Sequence, residues 1–118
     1  MSTTAASQGS SAGNQPSAAN GKAVAGLEPA MVWQEFAAIS DIPRCTGNEA
    51  AIIAFIAANA QRRGLVHHKD SVGNLLVELP ASSGEEGRPG IIIQGHVNMV
   101  GTKDSGSSHD FNRDPIKL

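Results

Sequence analysis

The chain reads as an α/β protein, formed of two helices, a β-hairpin and a buried strand behind a disordered leader. Three observations predict this. Apolar residues recur at helical spacing between Pro29 and Arg63, two short half-polar runs flank a turn at residues 71–74, and Ile91-Ile92-Ile93 is a wholly apolar, β-branched run. Strands that are apolar throughout suit the middle of a sheet, and a helix–helix–hairpin–strand order is the opening of an α/β domain rather than a complete one.

Residues 1–26 consist mainly of Ser, Ala, Gly, Thr, Gln and Asn, with Lys22 as their only charged side chain. Such a tract has too little apolar surface to offset its ordering entropy, so a disordered leader is expected there. It lacks the arginines and the apolar helical face of an organelle transit peptide. Residues 27–118 are then left to form one partial domain of marginal core size.

The first helix is expected from about Pro29 to Ser40. Proline suits the first helical turn, Val32, Trp33, Phe36, Ala37 and Ile39 form an apolar stripe, and Trp33 and Phe36 read as its core anchors. Pro43 biases Ile42 away from helix and ends the element. Thr46-Gly47-Asn48-Glu49 has the spacing of a capping box, with Thr46 as N-cap and Glu49 reaching back. The second helix then runs through Ile52, Ile53, Phe55, Ile56 and Ala60. Arg62 and Arg63 complement its dipole, and Gly64 supplies the left-handed stop. Leu65–Lys69 and Asn74–Leu79 pair as a hairpin, residues 80–90 form a Gly/Ser/Glu loop, and everything after Val100 is polar and turn-rich.

Composition excludes several classes of function. The net charge is −2 and the basic residues are scattered, so neither nucleic acid nor an anionic membrane is an expected partner. The longest apolar run is far short of a membrane span. Cys45 is the single cysteine, which rules out an internal disulfide and suits a reducing, cytoplasmic compartment.

His96 stands at the C-terminal end of the apolar strand, where open α/β sheets bind ligands. By itself it reads either as a hydrogen-bonded structural histidine or as a metal ligand. One imidazole does not make a catalytic zinc site, which needs about three protein ligands. The other candidates read as structural. Glu85-Glu86 lies in a Gly/Ser loop, His67 and His68 are neighbours on a strand and face opposite sides, and His109-Asp110 suits a local turn contact.

Several segments resemble one family in order. They are Leu27-Glu28-Pro29 with Val32-Trp33 and Phe36, Ile39-Ser40 with Ile42-Pro43-Arg44, Asp70-Ser71-Val72-Gly73-Asn74, Gln94 to Val100, and His109 to Ile116. Together they resemble the start of the aminoacyl-histidine (Xaa-His) dipeptidases, a family of dinuclear zinc exopeptidases. The resemblance implies an N-terminal part of a zinc-exopeptidase catalytic domain, with a dipeptide as substrate and two zinc ions as cofactors. It implies that His96 ligates one zinc, and that Asn98 occupies the position of an aspartate that clamps that histidine's ring. In such sites the metals polarise the scissile carbonyl and activate a bridging water. The bridging aspartate, the Glu-Glu pair and the remaining ligands lie further along the family's sequence than this chain runs. The resemblance therefore implies an isolated chain without peptidase activity. The alternatives are a non-catalytic binding module that associates with a full-length homologue, and a truncated gene model of a full-length dipeptidase.

Overall fold

A computed structural model describes residues 15–118. In chain order the elements are α1 (Ala18–Ala23), α2 (Ala30–Ser40), α3 (Ala50–Arg62), β1 (Val66–Lys69) and β2 (Leu75–Glu78). The strands form a two-stranded antiparallel sheet in which His67 faces Val77 and His68 faces Leu76. Helix α1 packs on α2, and the hairpin packs on α3.

Helices α2 and α3 and the hairpin form where local chemistry places them. Gly64, at φ 69°, takes the left-handed conformation that ends α3, and Leu65 donates its N–H to the Ala60 carbonyl at 2.9 Å. In the hairpin turn the Asp70 carboxylate accepts from the backbone of Val72 (3.0 Å) and Asn74 (2.8 Å) and from the Asn74 side chain (2.7 Å). Gly73 supplies the φ of 98° that closes the turn.

Four expectations need correction. First, residues 18–23 of the expected leader are helical; residues 1–14 lie outside the described residues. Ser17 caps α1 by accepting from the Asn20 N–H at 3.3 Å, and Asn20 is buried at 3% exposure. Its side-chain amide donates to Asp41 (2.8 Å) and to the Ile116 carbonyl (2.9 Å), and its oxygen accepts from Leu118 (3.0 Å). The segment is ordered by hydrogen bonds to distant partners, with Val24 at its C-terminal end as its buried apolar residue.

Second, the capping box does not form. Glu49 bonds the Gly47 N–H at 2.9 Å and α3 starts at Ala50, while the Thr46 hydroxyl is engaged by Asn98. Third, Trp33 and Phe36 are not buried anchors. Among the described residues the buried apolar set is Val24, Ala37, Ala38, Ile52 and Ala60. Small side chains let the elements approach closely and leave the large rings at the margin. There Trp33 and Phe36 meet edge to face at 5.9 Å, and Trp33 Nε1 donates to the Glu28 carbonyl.

Fourth, Ile91–Ile93 is neither a strand nor buried, with exposures of 85–90%. The hairpin strands pair only with each other, so no described strand lies beside the isoleucines to take up their backbone groups. Further on, Cys45 and Met99 form an isolated parallel bridge.

Two outcomes are expected. Asn20→Ala removes a buried, fully bonded amide and should lower stability by about 1–3 kcal/mol in chemical denaturation; a change within error would mean that α1 contributes nothing to the fold. The Asp70 carboxyl is held below its ordinary value chiefly by the Asn74 side-chain amide, with the Asn74, Val72 and Gly73 backbone groups adding to it. Its folded value lies below its unfolded one. Its support for the turn is therefore present above the ordinary aspartate range, about 3.9, and is lost as the pH falls through the folded value. Amide exchange at Val72 and Asn74 should speed up over that acid window relative to α3, and Asp70→Ala should abolish the difference.

Candidate functional site

Beyond the isoleucines the chain turns inward at Gln94–Asn98 and lines an open cleft of about 780 Å³. The opposite walls come from the start of α3 (Glu49, Ala50, Ile53) and from the hairpin (Lys69, Asn74, Leu75). Volumes of this order suit a small ligand.

His96 is exposed on this cleft, and its ring is held through one nitrogen. Nδ1 lies 2.8 Å from the Asn98 side-chain oxygen and 3.1 Å from the Asn98 carbonyl. The carbonyl can only accept, so Nδ1 carries the proton, and the neutral ring keeps its lone pair on Nε2. With the amide oxygen turned to His96, the Asn98 NH2 donates to Thr46 Oγ1 at 2.9 Å. The next residue repeats the tie, Met99 donating its N–H to the Arg44 carbonyl at 2.9 Å. Two bonds therefore pin the histidine loop to the connector between α2 and α3.

Arg44 stiffens that connector by donating Nη1 to the Ile39 and Ile42 carbonyls, and its burial lowers the guanidinium's pKa below its ordinary value. Gly101 allows the loop to pass over Cys45, since a Cβ there would come within 2.8 Å of the sulfur. Cys45 is a free, half-buried thiol.

The remaining candidates are placed apart from this arrangement. His67 is half-buried and His68 exposed on β1, with His68 Nε2 3.2 Å from Glu78. Glu85 pairs with Arg88, and Glu86 accepts from the Gly84 N–H at 3.1 Å. At residues 109–114, Asp110 accepts from the Asn112 N–H at 3.0 Å, closing a local turn; the His109 ring meets Phe111 edge to face, and its Nε2 has no hydrogen-bond partner among the described residues.

The tautomer of His96 fits a metal-ligating imidazole, whose second nitrogen is ordinarily held by an acceptor. The number of donors does not fit. Among the described residues no group of three or more His, Cys, Asp or Glu is placed to hold a metal ion. The described residues therefore present one oriented donor, and no hydrolytic step follows from them alone. Thr46 is the site residue that sequence reasoning missed, because its spacing to Glu49 points to a cap.

No family model matches the chain. Over 91 residues it is 36% identical to the cytosol non-specific dipeptidase of Escherichia coli (strain K12), a match covering 77% of this chain and 19% of that protein. The crystal structure of aminoacylhistidine dipeptidase from Vibrio alginolyticus is similar with a TM-score of 0.74 and 35% identity, over 78% of this chain and 19% of that one. The chain thus spans about a fifth of the length of the relatives it matches. With sequence and fold agreeing over a nearly equal share of its length, this chain is a relative of the aminoacylhistidine dipeptidases and carries a part corresponding to 19% of theirs.

Proposed function

We propose that this chain is the N-terminal, His96-bearing portion of a zinc-dependent dipeptidase that cleaves Xaa-His-type dipeptides, and that it is inactive as an isolated chain. The observation that carries the reading is the His96 ring, held at Nδ1 by Asn98 with Nε2 left as a donor on the cleft. The dipeptidase names of the relatives support the reaction class. A cytoplasmic location is proposed on the name of the Escherichia coli relative; among the described residues no helix is long and apolar enough to cross a membrane.

A second reading rests on the exposed Ile91–Ile93 run. It makes the chain a non-catalytic module that associates with a full-length homologue through unpaired backbone and apolar side chains. Mixing the purified chain with the Vibrio alginolyticus enzyme should then produce a complex by size exclusion that Ile92→Lys prevents, whereas two unshifted peaks would end this reading.

The leading reading predicts that the purified 118-residue chain hydrolyses no Xaa-His dipeptide in the presence of zinc. Zinc-dependent turnover that is lost in His96→Ala would overturn the predicted inactivity. Placed in the Vibrio alginolyticus enzyme in exchange for its matching segment, this sequence should support hydrolysis that His96→Ala eliminates. In the same chimera Asn98→Asp should raise kcat/KM by about 10–100-fold, the usual worth of a group that supports a metal ligand. An unchanged rate for both substitutions would remove His96 and Asn98 from the site.

A further inference from the structure

We propose that Thr46 is a positioning residue for His96: its hydroxyl holds the Asn98 amide so that the histidine presents a bare Nε2 to the cleft. The inference rests on the reading of His96 as a ligand and adds to it a residue 52 positions away from Asn98 in the chain.

Asparagine is a two-ended clamp. Its oxygen accepts and its NH2 donates, so it supports a protonated Nδ1 only in one of its two flips. Two groups decide which. The Asn98 carbonyl lies 3.1 Å from Nδ1 and, being only an acceptor, keeps the proton there. Thr46 Oγ1 lies 2.9 Å from Asn98 Nδ2 and takes up the donor end. Without that hydroxyl the NH2 loses its protein partner, and the amide is free to rotate away from the 2.8 Å contact with His96.

The backbone makes Thr46 a fixed point. Arg44 receives the Met99 N–H, Cys45 bridges Met99, and Asn48 donates its N–H to the Cys45 carbonyl at 2.8 Å. The Thr46 hydroxyl thus stands on a segment tied down on both sides, next to the Cys45–Met99 bridge. A hydroxyl also serves either residue at position 98. It accepts from an amide, and by rotating its proton it donates to a carboxylate.

The test is the tautomer of His96, read from long-range 1H–15N correlations of the imidazole in the 118-residue chain at a pH where the ring is neutral. Wild type should show the proton on Nδ1. Thr46→Val, close in shape but without the hydroxyl, should lower the ratio of Nδ1–H to Nε2–H by about three- to tenfold, as expected for loss of one neutral hydrogen bond. Thr46→Ser should restore it, while amide shifts in α3 and the hairpin stay unchanged. If the valine variant does not fold, Asn98→Ala removes the same link from its other end and should lower the ratio at least as far. A wild-type ratio in a folded Thr46→Val or Asn98→Ala chain would overturn the proposal. Hydrolysis by the Vibrio alginolyticus chimera separates the two ideas. Thr46-dependent tautomers with a His96→Ala chimera as active as its parent would leave the positioning role standing and remove the ligand role. Hydrolysis that His96→Ala eliminates, with Thr46-independent tautomers, would do the reverse.

Discussion

The fold depends on the connector between α2 and α3, residues 41–49, together with the last carbonyl of α2 at Ser40. It is irregular backbone with polar groups to satisfy, and segments from both ends of the chain satisfy them. Ile116 donates to the Ser40 carbonyl and Met99 to the Arg44 carbonyl, both at 2.9 Å. Asp41 receives the buried Asn20 amide from α1, and Thr46 receives Asn98. Backbone polar groups away from water must be paired, and here their pairing stands beside a narrow apolar core of Val24, Ala37, Ala38, Ile52 and Ala60.

That constraint explains how a histidine on a weakly supported segment is held in one orientation. Residues 91–93 are exposed and no described strand lies beside them, so the isoleucines do not anchor residues 94–98. Order enters at Asn98 and Met99, one side-chain and one backbone bond deep, and travels back two residues to His96 through the Nδ1 contacts. Cys45 and Gly101 set the approach distance, since a side chain on Gly101 would meet the sulfur and lift the loop from the connector.

Elements made by neighbours in sequence were legible, and those made by partners far along the chain were not. The start of α2, the end of α3 and the hairpin turn follow from Pro29, Gly64, Asp70 and Gly73, each acting within a few residues. The Thr46–Glu49 spacing is a genuine capping pattern, but α3 starts only at Ala50, which leaves Thr46 too far upstream to cap it and its hydroxyl facing Asn98. Polar composition was a sound reason to expect disorder across residues 1–26. It failed at residues 18–23 because the residue buried there is an asparagine whose partners lie at Asp41, Ile116 and Leu118. The isoleucine run fails for the converse reason: burial belongs to whatever packs against a residue, and apolar composition only permits it. Of the site, His96 and Asn98 could be reached through the order of motifs around them, whereas nothing local in the sequence distinguishes Thr46 from a helix cap.

The geometry also separates what an amide at position 98 preserves from what it changes. The backbone carbonyl of Asn98 accepts from Nδ1 whichever residue stands there, and the side-chain oxygen at 2.8 Å adds a second acceptor that strengthens the preference. A carboxylate would make the same contact and add a negative charge, which favours a ring bound to a cation and raises its basicity. Orientation and charge are therefore supplied by different atoms. If His96 ligates a metal, exchanging amide for carboxylate at position 98 therefore changes the strength of ligation rather than the placement of the Nδ1 proton.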